Sequence, residues 1–115
     1  MKRAVPGGTG DVKVGGNYAA SLRVSKKVRE MGYKEVLYLD AAANEYIDES
    51  GPANFFGITK DGTYVTPNSE SILPSITNMS LMTLAEKEFG IKVEKRPVNV
   101  NEIFDFTEAG CWGTA

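Results

Sequence analysis

Lys13 stands between two glycine-rich stretches, Gly7-Gly8-Thr9-Gly10 before it and Gly15-Gly16 after it. An amine so placed is open to a carbonyl carbon. To attack one it must lose its proton, which requires partial burial or a neighbouring cation or cofactor. Glycine leaves space beside the chain and lets a bulky ligand approach backbone N–H groups. The alternative is a solvated lysine in a turn, the usual state of that residue. A phosphate-loop reading is weaker, because Val12 precedes the lysine and Val14 follows it where the Walker pattern needs Gly-Lys-Ser/Thr.

Other residues add polar groups that a ligand would use. Tyr18 is either a half-buried aromatic in the first turn of a helix or a phenol that donates to a ligand oxygen. Glu49 lies in Ile47-Asp48-Glu49-Ser50-Gly51, beside an apolar strand and a Gly-Pro break. It is either a surface charge at a turn or a carboxylate that would keep a pyridine nitrogen protonated. Ile76-Thr77 at a helix start and Gly113-Thr114-Ala115 each offer N–H groups and a hydroxyl to an anion. An ordinary helix cap and a glycine-broken strand are their plainer readings.

Composition narrows the chemistry. The 115 residues include no histidine and one cysteine, Cys111, which excludes Ser–His and Cys–His mechanisms and an internal disulfide within the chain. With the commonest metal ligand missing, no metal is expected. A net charge of −2 with both signs mixed along the chain gives no footprint for nucleic acid or anionic lipid. No apolar run approaches the length of a membrane span, and the first residues lack the apolar stretch of a secretory signal. The expectation is a cytoplasmic protein that acts on small molecules, with one domain at most.

Those residues need elements to hold them. Apolar positions among residues 17–31 fit a 3.6-residue period, with Gly32 as the stop, so a helix opens just after Gly15-Gly16. Residues 35–40 read as a buried strand. Residues 46–50 and 53–59 read as strands broken by Gly51-Pro52, and Asp61-Gly62 marks a hairpin into 63–66. Two or three antiparallel strands follow. Thr77 is expected to cap a helix that runs to about Phe89, with Leu81, Leu84 and Ala85 inward and Gly90 ending it. Residues 91–96 alternate as a strand, and 101–106 form a short acidic helix. Residues 109–115 are strand-like, with no partner element expected.

Taken in order, Gly7-Gly8-Thr9-Gly10, Lys13-Val14-Gly15-Gly16-Asn17-Tyr18, Ile47-Asp48-Glu49-Ser50-Gly51, Asn54-Phe55-Phe56, Ile72-Leu73-Pro74-Ser75-Ile76-Thr77, and Glu108-Ala109-Gly110 with Gly113-Thr114-Ala115 closely resemble the branched-chain amino acid aminotransferases. These are fold-type IV pyridoxal-phosphate enzymes. The resemblance implies an α+β fold: a mixed, largely antiparallel sheet or partial barrel with flanking helices, like part of the large domain of D-amino acid aminotransferase-like enzymes. It implies that residues 1–115 are a segment of the large, cofactor-binding C-terminal domain, without the small N-terminal domain and without the final C-terminal elements.

The resemblance also assigns roles. Lys13 is the Schiff-base lysine that holds the cofactor pyridoxal 5′-phosphate and later moves the proton between substrate Cα and the cofactor. Tyr18 bonds the cofactor's phenolic oxygen, and Glu49 pairs with its ring nitrogen, supported by Asn54. Ile76, Thr77 and Thr114 bind its phosphate, and Thr114 and Ala115 lie near the substrate carboxylate. The implied substrates are amino acids and 2-oxo acids, namely leucine, isoleucine or valine with 2-oxoglutarate, and the implied assembly is a homodimer. Such a segment is expected to be weak or inactive alone. The alternatives are a D-amino acid aminotransferase or aminodeoxychorismate lyase of the same fold type, and a non-catalytic oligomerising module. Three places depart from the pattern: Ser75 where many members have glycine, Asn78 where many have arginine, and Cys111-Trp112 in a segment of mostly small residues.

Overall fold

A computed structural model describes residues 3–113 of the chain. Helix α1 spans Gly15–Glu30, followed by strands β1 Leu37–Leu39, β2 Ile47–Ser50, β3 Ala53–Ile58 and β4 Tyr64–Pro67. Helix α2 spans Ile76–Phe89, then come β5 Val93–Arg96, a 3-10 helix Val100–Asp105 and β6 Glu108–Trp112. The fold is α+β with a mostly antiparallel sheet, as expected. Among the described residues only β4 and β5 run parallel. A parallel pair needs a crossover connection, and α2 provides it.

Strand β3 is the hub of the six-stranded sheet. Asn54 pairs with Glu49 of β2 and also with Trp112 of β6, while Gly57 pairs with Val65 of β4 and with Ala109 of β6. A strand has two edges, so β2 and β4 lie end to end along one edge of β3 and β6 runs along the other. Where β2 and β4 part, the Thr66 hydroxyl donates to the Phe55 carbonyl at 2.9 Å, supplying a backbone partner that no strand provides there. Around this divergence sits a core of Ile47, Phe55, Val65 and Val98, flanked by Leu37, Leu39, Val100, Ile103 and Phe106.

The Phe106 ring reaches this core across Gly57. A Cβ at Gly57 would lie 2.5 Å from Phe106 Cδ2, closer than packed atoms tolerate. Gly57→Ala is therefore expected to lower stability by about 1–3 kcal/mol through overpacking, measured by urea denaturation. An unchanged midpoint would show that the ring can leave the core freely.

Four expectations need correction. Residues 109–115 were expected to lack a partner, yet β6 pairs with β3 from Asn54↔Trp112 to Ile58↔Glu108; pairing between distant segments leaves no trace in local pattern. The N-cap of α2 is Ser75, whose side chain accepts from the Asn78 N–H, and Thr77 lies inside the first turn. Leu84 is not inward but 45% exposed. Gly15 and Gly16 belong to α1 itself, and no residue of that helix is buried. Gly90 does end α2, in the left-handed conformation. No helix among the described residues is long and apolar enough to cross a membrane.

Candidate functional site

A cleft of about 580 Å³ opens between α1, the β2–β3 turn and the start of α2. Lys13, Tyr18, Glu49, Asn54, Ile76 and Thr77 all line it, and Gly113 reaches its edge. Thr114 and Ala115 lie outside the described residues.

The lysine end is built by a loop folded against the first turn of α1. Asn17 Nδ2 donates to the carbonyls of Thr9 at 2.7 Å and Val12 at 3.0 Å, and Thr9 Oγ1 donates to Asn17 Oδ1 at 2.9 Å. The residues just before Lys13 are thereby tied to the helix that follows it. At Gly10 a Cβ would meet Ser71 O at 2.6 Å, so only glycine lets this loop lie on the 69–75 segment. Added Cβ atoms at Gly15 or Gly16 would meet nothing within 4 Å, so packing among the described residues does not explain them. Lys13 is exposed at this rim, not partly buried, and Tyr18 is 44% exposed. Ser21, Ser25 and Arg29 of α1 also line the cleft, so this side of it is polar.

The opposite wall is buried and ionic. Glu49 and Asn54 face each other across β2 and β3, and both grip Leu73: its N–H donates to Glu49 Oε1 at 3.0 Å and its carbonyl accepts from Asn54 Nδ2 at 3.5 Å. Arg3 Nη1 lies 3.2 Å from Glu49 Oε2, with side-chain exposures of 10% and 7%, and Arg3 Nη2 donates to Ser71 O. Glu49 is thus not a solvated turn residue. Burial pushes its carboxyl above the ordinary value and the Asp48 charge adds to that, while Arg3 and the Leu73 N–H pull it down. Buried Tyr38 also lines the cleft, and its hydroxyl and Arg3 Nε have no partner among the described residues. Burial raises the Tyr38 phenol, so it keeps its proton and remains a donor.

Strand β2 is delivered to this wall by a loop wound on Asp40. Its carboxylate accepts from the N–H groups of Ala42, Ala43, Glu45 and Tyr46 at 2.7–3.1 Å, which hold it at about 2. The stability this carboxylate contributes is complete above the ordinary value of 3.8 and is lost as pH falls toward about 2. Asp40→Asn is expected to be less stable at neutral pH and to show a flatter loss of stability across that window, measured by urea midpoints against pH. A slope equal to that of the unsubstituted chain would refute the assignment.

At the far end α2 begins. Ser75 Oγ accepts from the Asn78 N–H at 3.1 Å, whereas the N–H groups of Ile76 and Thr77 are among those a helix cannot satisfy from within. The arrangement sets an amine and a phenol at one rim, a buried carboxylate in the wall and a helix start at the other end. Such a cleft suits a carbonyl compound bearing both a basic ring nitrogen and an anionic group. Arg3, Asn17 and Tyr38 are the site residues that sequence reasoning missed. An asparagine in the first turn of a helix is a readable signal of local side-chain-to-backbone bonding. Arg3 carries no local signal, since its partner Glu49 is distant in sequence.

The model for the family described as amino-transferase class IV matches residues 3–115. The branched-chain-amino-acid aminotransferase of Helicobacter pylori is 54% identical over 113 residues, covering 98% of this chain and 33% of that protein. Among solved structures, the branched-chain amino acid aminotransferase of Escherichia coli superposes with a TM-score of 0.88 at 37% identity, over 100% of this chain and 38% of its own. That of Thermobaculum terrenum, in its PLP-form, gives 0.87 at 29% identity over 97% and 36%. The chain spans about a third of the length of the curated relatives it matches.

Proposed function

We propose that this chain, which belongs to the amino-transferase class IV family, forms the cofactor-binding part of a branched-chain amino acid aminotransferase. The whole protein would exchange amino groups between leucine, isoleucine or valine and 2-oxoglutarate, as a cytoplasmic homodimer. The carrying observation is the single cleft that gathers Lys13, Tyr18, Glu49 and the start of α2. The names of the similar proteins support the substrate class over a D-amino acid aminotransferase or a lyase.

The residues present fit pyridoxal phosphate. Its ring nitrogen would meet the buried Glu49 carboxylate, and its phosphate the first-turn N–H groups of Ile76 and Thr77, joined by Thr114. When bound, the group supplies an aldehyde that links to an amine and a ring that takes up electrons as a substrate C–H bond breaks. Lys13 Nζ would hold the aldehyde carbon and then take the proton from substrate Cα. Tyr18 would donate to the phenolic oxygen. Arg3 would keep Glu49 ionised, and Glu49 in turn would keep the ring nitrogen protonated. Asn54 would fix the Leu73 segment, and Thr114 and Ala115 would receive the substrate carboxylate.

We assign the chain to the large domain, with substrate selection depending also on residues beyond this third of the protein. Binding energy from those residues would be missing from the 115-residue chain alone, so its turnover is expected to be weak. The deciding experiment adds pyridoxal phosphate, reduces with borohydride and maps the labelled peptide. A permanent adduct on Lys13 is expected; a label elsewhere, or none, would overturn the reading. A non-catalytic module would give none.

A further inference from the structure

A buried chain of side-chain hydrogen bonds joins β6 to the start of α2. Trp112 Nε1 donates to Tyr64 Oη at 2.8 Å, and Tyr64 Oη donates to Asn78 Oδ1 at 2.6 Å. Asn78 Nδ2 donates to Thr66 Oγ1 at 3.2 Å, and Thr66 Oγ1 donates to the Phe55 carbonyl at 2.9 Å. Tyr64, Thr66 and Asn78 are 5%, 1% and 6% exposed. Indole can only donate and a carbonyl can only accept, so the two ends fix the direction of every bond between them. Turning the Asn78 amide over would leave the Phe55 carbonyl without its donor.

The same residues are also clamped by stacking. The Phe56 ring lies 4.1 Å from that of Trp112 and 5.5 Å from that of Tyr64, centroid to centroid, at interplanar angles of 7° and 4°. A fully satisfied buried network of this kind is rigid, and loss of one member leaves its neighbours unpaired.

None of Trp112, Tyr64 and Asn78 lines the cleft, yet Thr77 immediately precedes Asn78 and Gly113 immediately follows Trp112, and both of these do. We propose that Trp112, Tyr64 and Asn78 are positioning residues: their hydrogen-bonded chain fixes the first turn of α2 against the end of β6, so that both backbone segments address one phosphate-bearing ligand. The phosphate part rests on the function proposed above. Apart from Asn78, whose Nδ2 also donates to Thr66 Oγ1, no side chain among the described residues bonds the start of α2 to β4, so a strained or broken chain lets the two segments drift apart.

The test uses Tyr64→Phe and Trp112→Phe, each of which deletes a hydrogen-bonding group and keeps an aromatic ring. In the ligand-free chain, amide hydrogen exchange is followed at Asn78 and Met79, whose N–H groups bond to Ser75. Trp112→Phe alters a different element, yet it is expected to speed exchange at these α2 amides about tenfold, the equivalent of one net hydrogen bond. Tyr64→Phe should do the same, and the double variant should add little to either. Affinity for pyridoxal phosphate should fall about tenfold in each, while affinity for pyridoxal, which lacks the phosphate, should stay unchanged.

Unchanged exchange at Asn78 and Met79 in both variants would overturn the brace. Faster exchange with equal losses for both ligands, or with no loss, would overturn the positioning role and leave a purely structural one. If the unsubstituted chain binds no pyridoxal phosphate, the cofactor reading fails and takes the phosphate part with it. The exchange comparison, made without ligand, separates that failure from failure of the brace. Should Trp112→Phe not fold, Tyr64→Phe carries both measurements.

Discussion

Replacing Lys13 with alanine is expected to abolish the borohydride-fixed adduct with pyridoxal phosphate while leaving the fold intact. Lys13 is exposed, and a surface substitution of this kind changes stability by no more than about 0.5 kcal/mol. Its amine is the group that would both hold the aldehyde and carry the proton, so transamination by the whole protein should fall by at least about 10²–10⁴, the share of a positioned acid–base group. Non-covalent binding should survive, since the phosphate and ring nitrogen would be held from the other end of the cleft by the α2 start and Glu49. Mass spectrometry of the reduced protein distinguishes the outcomes. A label persisting at undiminished yield in Lys13→Ala would move the chemistry to another lysine and sink the assignment.

Arg3→Met is expected to be the most destabilising single change in the cleft wall. The guanidinium lies against Glu49 with both side chains nearly buried, and removing one partner of such a pair typically costs about 3–5 kcal/mol because the other charge stays buried without compensation. Protonation of Glu49 limits that cost, and this gives the effect a pH signature. Burial already raises the folded-state carboxyl above its ordinary 4.5, and losing Arg3 removes the main opposing influence. A folded state that holds the proton more tightly than the unfolded chain loses stability as pH rises from the ordinary value through the raised one. The variant should therefore come closest to the unsubstituted chain below about pH 4.5 and fall furthest behind once pH passes the raised value. Denaturant midpoints across that range measure this; a difference independent of pH would show that Glu49 does not sense Arg3.

The features legible in the sequence are those written in neighbouring residues. Asp61-Gly62 turns the hairpin into β4, Gly90 ends α2, and the Gly51-Pro52 break separates β2 from β3, because each is a backbone preference satisfied within a few residues. The apolar spacing of residues 17–31 marks a helix but does not tell its burial: Leu22 is 69% exposed, and serines face the cleft. Pattern reports where a face is, not what covers it. The pairing of β6 with β3, the Arg3–Glu49 pair and the Trp112–Tyr64–Asn78 chain were illegible because each joins segments far apart in sequence. Spacing alone left Lys13, Tyr18 and Glu49 with ordinary alternatives. The resemblance grouped them, and the fold places them around one cleft. Asn78 and Trp112, noted only as departures from the family pattern, turn out to be linked through Tyr64.

The position of β6 on the free edge of β3 also has a kinetic consequence. Its bond from Trp112 to Tyr64 closes a span of 48 residues, while the β2–β3 and β3–β4 hairpins close over short turns. Contacts between distant segments form after local ones, since loop-closure entropy must be met first. The β2–β3 and β3–β4 hairpins can thus assemble while one side of the cleft is still missing. Docking of β6 is the event that delivers Gly113 to it, so competence to bind should develop later than secondary structure when the chain refolds.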